Sequence, residues 1–96
     1  PAWLAFLRDI VTRCDRNGTP LAFCGEQAGR PLEALALAAI GFRALSIRPA
    51  AIGPVKRLLR AADLSAARAV VERAVAAGES ARPPLERWAR ANALPV

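Results

Sequence analysis

The stretch Cys24-Gly25-Glu26-Gln27-Ala28-Gly29 puts a thiol and a carboxylate close together beside two glycines. It ends the short apolar run Leu21-Ala22-Phe23-Cys24, which Pro20 enters and Gly25 closes. Four apolar residues between breakers fit a buried strand better than a helix. The thiol and the carboxylate would then emerge where that strand ends, and the glycines let backbone approach a small ligand closely. By residue type alone, a buried cysteine is more often inert packing than a reactive thiol. Other chemistry is narrowed by what the chain lacks. With no histidine, the usual general base is missing, as is any Ser-His or Cys-His couple. The spacing of Cys14 and Cys24 matches no zinc pattern and no imidazole completes a site, so no metal centre is expected within the chain. Nothing else here has secreted character, so both cysteines read as free thiols in a reducing cytoplasm. Cys14 falls on an apolar helix face and is expected in the core.

The elements that would position these groups can be read from periodicity and punctuation. Residues 2–16 predict a helix, with Trp3, Leu7, Ile10, Val11 and Cys14 at helical spacing and Asn17-Gly18 as its stop. Pro31 opens a second helix over 32–40, closed by Gly41 and apolar almost all round, with Glu33 as its only charge. Ala44-Leu45-Ser46-Ile47 predicts a second short strand, stopped by Arg48-Pro49. The two strands flank about twenty residues holding one helix, a crossover that makes them parallel. Residues 52–62 predict a helix with Pro54 in its first turn and Val55, Leu58, Leu59 and Ala62 on one face. Asp63 or Ser65 caps another, carrying Val70, Val71, Ala74 and Val75 and stopped by Gly78. Residues 79–84 are a linker, and a last helix over 84–93 carries Leu85 and Trp88. The fold class is therefore α/β, mostly helical with two short parallel strands. Two parallel strands do not make a free-standing sheet, so the chain is expected to be part of something larger. In a (β/α) barrel the active site is built at the carboxyl ends of the strands, where Cys24, Glu26 and Arg48 would sit. The Arg48 guanidinium could reach phosphate there or close a salt bridge on the rim.

Composition excludes several classes. The 96 residues are 54% hydrophobic, too apolar for a disordered tail. Arginines interrupt every apolar stretch well short of the roughly 18–20 residues a membrane span needs, so no membrane insertion is expected. The start carries no signal pattern, and the chain has no methionine and reads as an excised piece. Fourteen basic against eight acidic side chains give +6, but the charge is scattered from Arg8 to Arg90. The few aromatics do not interleave with it as a base-stacking platform would, so nucleic acid is not an expected partner.

The Cys24–Gly29 stretch resembles the C-G-E-x-A-G signature of phosphoenolpyruvate-protein phosphotransferases, Enzyme I of the bacterial phosphotransferase system. Gly41-Phe42-Arg43-Ala44-Leu45-Ser46-Ile47 is similar to that family's G-[LIVMF]-x-x-[LF]-S-[MI] last strand. Ala50-Ala51-Ile52-Gly53-Pro54-Val55-Lys56 is similar to its S-I-x-x-[VI]-K helix start, and the helices after Asp63 correspond to its tail. The resemblance implies the C-terminal part of a (β/α)8 TIM barrel that binds phosphoenolpyruvate: its last two βα units (1–63) and a C-terminal helical tail (64–96), one fragment over 1–96. Such enzymes move the phosphoryl group of phosphoenolpyruvate to an enzyme histidine and then to a histidine phosphocarrier protein.

By this resemblance Cys24 is catalytic, the proton donor that turns the pyruvate enolate into pyruvate. A thiol, with an ordinary pKa of about 8.5, is mostly protonated at neutral pH yet can give its proton up. Gly25 and Glu26 match the motif as substrate-binding positions, with Glu26 read as a local hydrogen-bond anchor rather than a catalytic group. Gly29 is assigned to backbone geometry before the Pro31 helix. Arg48 departs from the family, where a small polar residue is common. The phosphorylatable histidine, the phosphate-clamping arginines and the Mg2+ ligands of the family are expected upstream, so the chain alone is expected to be inactive. Homodimerisation and a cytoplasmic location are implied for the parent, in the service of either sugar transport or the nitrogen-related branch of the system. The rival readings are pyruvate phosphate dikinase or phosphoenolpyruvate synthase, whose barrels end in a similar Cys-Gly signature, and a non-catalytic dimerisation module.

Overall fold

Glycine and proline punctuate this chain, and its elements fall between them. The computed structural model describes residues 2–24 and 26–96, without the side chains of Ala2, Glu26 and Gln27. In order they are α1 (Ala2–Arg16), β1 (Ala22–Cys24), a 3-10 helix (Glu26–Gly29), α2 (Pro31–Ala39), β2 (Ala44–Ser46), α3 (Pro49–Ala61), α4 (Leu64–Ala76) and α5 (Arg82–Ala91). At the end of α2 the Phe42 N–H donates to the Leu37 carbonyl and the Gly41 N–H to the Ala38 carbonyl, each at 3.1 Å. This pair of bonds satisfies carbonyls that a helix end leaves orphaned, and it needs a left-handed residue after the cap. Gly41 supplies that residue with φ +116°, and a Cβ there would lie 2.7 Å from Val11 Cγ1. The turn is thus set by conformation and by the close approach of α1 together. Helices α1, α4 and α5 end in the same pair of bonds. In α5 the left-handed residue is Ala93, at φ 55°.

Three expectations are corrected. The third helix begins at Pro49, not residue 52, because Arg48 is extended and Pro49 is preset for the first turn. Pro54 therefore lies inside α3, where it has no N–H to offer the Ala50 carbonyl. The last helix begins at Arg82, with Pro83 and Pro84 in its first turn, which shortens the linker. On α1 the fully buried residues are Leu4 and Val11, two turns apart. Trp3 is half-exposed and Cys14 only half-buried, because few elements reach across to cover that face.

The core gathers around α2. Leu35 and Leu37 are fully buried, and α3, α4, α5 and the 3-10 helix all pack against this one helix. A nine-residue helix with a single charge has no face suited to water, so its burial on several sides follows from composition. Asp63 caps α4, its Oδ1 accepting from the Ala66 N–H at 3.2 Å. Arg8 on α1 pairs with Glu72 on α4 at 2.5 Å, and Arg82 on α5 pairs with Glu33 on α2. Each pair is partly solvated, so these bridges orient helices more than they stabilise them. The radius of gyration is 12.7 Å, close to the ~12.5 Å of a compact chain of this length.

Candidate functional site

The site begins with two three-residue strands that pair in parallel. Ala22 lies opposite Ala44, Phe23 opposite Leu45, and Cys24 opposite Ser46. Successive strand residues point to opposite faces, so each strand offers its middle side chain to one side and its outer two to the other. Phe23 and Leu45 face the helices. The Phe23 ring meets Phe42 edge-on at 5.5 Å and Trp3 at 6.4 Å, which pins the sheet to the core. Ala22, Cys24, Ala44 and Ser46 occupy the opposite face and are exposed. The expectation of a buried strand is corrected on this point: one face is packed and the other is open.

Cys24 is a free, exposed thiol at the carboxyl end of β1. The chain then turns into the 3-10 helix, anchored by the fully buried Ala28. Gly29 brings this helix against α3, where a Cβ would sit 3.4 Å from the Ala51 Cβ. That is an ordinary van der Waals distance and Gly29 has no positive φ, so neither packing nor backbone conformation demands the glycine expected before Pro31. Gly25 and the side chain of Glu26, both expected to bind substrate, lie outside the described residues. Arg48 follows β2 at the same end of the sheet, is exposed, and caps α3 in an extended conformation. Among the described side chains no carboxylate pairs with it. Ser46 was not singled out by residue type. Its place beside Cys24 comes from strand register, which appears only once the pairing is known.

This arrangement presents a thiol and a hydroxyl side by side on an open shelf floored by two alanines, with a guanidinium at its exit. A cleft of about 480 Å³ runs from Ser46 toward α3, lined by Phe42, Ile47, Ile52, Val55 and Lys56, and others lie away from the thiol. One of about 140 Å³ is lined by Trp3, Leu4, Leu32, Ala36 and Leu85, and another of about 590 Å³ by Val11, Cys14, Leu21 and Gly41 at the opposite end of the strands. Among the described residues no three acidic, cysteine or histidine side chains gather as metal ligands. No described helix is long and apolar enough to cross a membrane.

The family model described as "PEP-utilising enzyme, PEP-binding domain" matches residues 1–64, the stretch that carries both strands and the open thiol. The chain belongs to this phosphoenolpyruvate-utilising family. Among curated proteins, a "Phosphoenolpyruvate-dependent phosphotransferase system" of Salmonella typhimurium is 35% identical over 77 residues, which cover 80% of this chain and 10% of that protein. The protein of the same name from Escherichia coli K12 is 34% identical over 77 residues, with the same coverage. The chain thus spans about a tenth of the length of the curated relatives it matches. No solved structure matches it.

Proposed function

We propose that this chain is the C-terminal part of the phosphoenolpyruvate-binding (β/α)8 barrel of a phosphoenolpyruvate-protein phosphotransferase. Its two strands are the last of the barrel, and the open face carrying Cys24 and Ser46 looks into the barrel's interior. The parent moves phosphoryl from phosphoenolpyruvate to its own histidine and on to a phosphocarrier protein, and Cys24 protonates the pyruvate enolate. The observation that carries this reading is the exposed Cys24 thiol, at the carboxyl end of a parallel strand and on the face turned away from the helices. Barrel enzymes build their sites at that end of their strands. The names of the relatives favour a phosphotransferase over a dikinase.

In the proton-transfer step the Cys24 S–H bond breaks and a C–H bond forms at C3 of the enolate. The enolate oxygen becomes the ketone oxygen of pyruvate, and the S–H electron pair stays on sulfur as thiolate. Phe23 holds the strand beneath the thiol through its ring contacts, and the alanines of the shelf leave room for a small acid. Magnesium belongs to this reading only through the rest of the parent, since the described residues gather no ligand set, and no step above depends on it. Homodimerisation is likewise a property proposed for the parent.

The test is a chimera in which this chain replaces the matching segment of the Salmonella relative. The chimera is expected to transfer phosphoryl from phosphoenolpyruvate to the phosphocarrier protein. Cys24→Ala is expected to lower kcat by about 100-fold, the scale of losing a positioned acid. The 96-residue chain alone is expected to give no turnover. Phosphoenolpyruvate turnover by the isolated chain, or full activity in the Cys24→Ala chimera, contradicts the reading.

A further inference from the structure

The register of the two strands makes Ser46 the cross-strand neighbour of Cys24. Neighbouring strands run about 4.8 Å apart, so side chains on one face at matched positions are within reach of each other. Both residues are exposed on the side away from the core. Ser46 makes no side-chain hydrogen bond to any described residue, and it caps no helix, so nothing in the packing accounts for a hydroxyl there. The flanking positions on that face are both alanine. The hydroxyl and the thiol are therefore the only polar groups the four paired face positions offer.

We infer that Ser46 is a positioning residue for the Cys24 thiol: its hydroxyl donates a hydrogen bond to the sulfur as the proton leaves. This inference rests on the reading of Cys24 as the proton donor. When the S–H bond breaks, the sulfur keeps the electron pair and gains a full negative charge. A serine hydroxyl can rotate among its staggered positions to donate to that charge, and it returns to solvent when a proton is restored. Hydrogen bonds to a charged acceptor are the stronger kind, so the contact matters most in the thiolate state. Four charged residues lie near this pair in sequence or in space. Glu26 follows Cys24 by two residues, and Lys56 of α3 lines a cleft with Ser46. Arg48 lies two residues beyond Ser46 at this end of the sheet, and Arg43 precedes β2 at the far end. Phe23 and Leu45 fill the packed face, and Trp3 is what α1 brings to the sheet, so neither adds a charge.

The test is the pH profile of Cys24 alkylation by iodoacetamide in the 96-residue chain. Modification is followed at Cys24 by peptide mass spectrometry, so that Cys14 does not enter the signal. Ser46→Ala is expected to move the midpoint of the profile up by about one pH unit, which slows alkylation near neutral pH about tenfold. Ser46→Thr keeps a hydroxyl at the same exposed position and is expected to restore the original midpoint. An unchanged midpoint in Ser46→Ala overturns the inference, and so does an equal shift in Ser46→Thr. The measurement uses no phosphoenolpyruvate, so its failure is distinct from failure of the chimera to transfer phosphoryl.

Discussion

The two sides of the sheet obey different physics. On the helix side, α2 is enclosed by α3, α4, α5 and the 3-10 helix, and its leucines are shut off from water. On the other side, Ala22, Cys24, Ala44 and Ser46 are exposed. The closed side holds the chain together. The open side contributes little to stability and carries the exposed thiol and hydroxyl. Parallel sheets are found covered on both faces, so a parallel pair with one bare face departs from the usual pattern.

Substitutions divide along the same line. Leu35→Ala removes a fully buried side chain at the centre of the closed side and should cost about 3–4 kcal/mol, read as a lower denaturation midpoint at unchanged slope. Gly41→Ala should cost about 2 kcal/mol, because φ is +116° and the new methyl meets Val11. Cys24→Ser, on the open face, should stay within about 0.5 kcal/mol of the parent. A cost at Cys24 as large as that at Leu35 would erase the distinction between the two sides. A Gly41→Ala chain of unchanged stability would show that α1 and the end of α2 do not meet as described.

Much of the closed side was legible in the sequence. The run from Leu32 to Ile40 carries one charge, and such a helix can only be interior. Gly18, Gly41 and Gly78 mark helix ends by a conformation that other residues avoid, whereas Ala93 adopts the same conformation and gives no warning. Pro49 and Pro54 both fit a first turn, and choosing between them depends on where the strand before them stops. Trp3 looked like core because it is large and correctly phased, yet Leu4 takes that place and Trp3 remains at the edge against Phe23.

The open side was harder to read. Leu21-Ala22-Phe23-Cys24 is apolar throughout, so alternation could not say which face would be covered. The pattern is symmetric until a partner strand and a helix layer break it. Cys24 was recognisable from its motif and its place at a strand end. Ser46 fell in the last-strand motif, but its place beside Cys24 was not legible, because strand register appears only once the pairing is known.

The most direct test of the account is hydrogen exchange at the pyruvate methyl group in heavy water, catalysed by the chimera that carries this chain. A proton donor that works in both directions must also take protons from C3, so the unsubstituted chimera should exchange them. Cys24→Ala should slow that exchange by about 100-fold or more while pyruvate still binds. Exchange that continues at the original rate without the sulfur would show that the proton comes from another group.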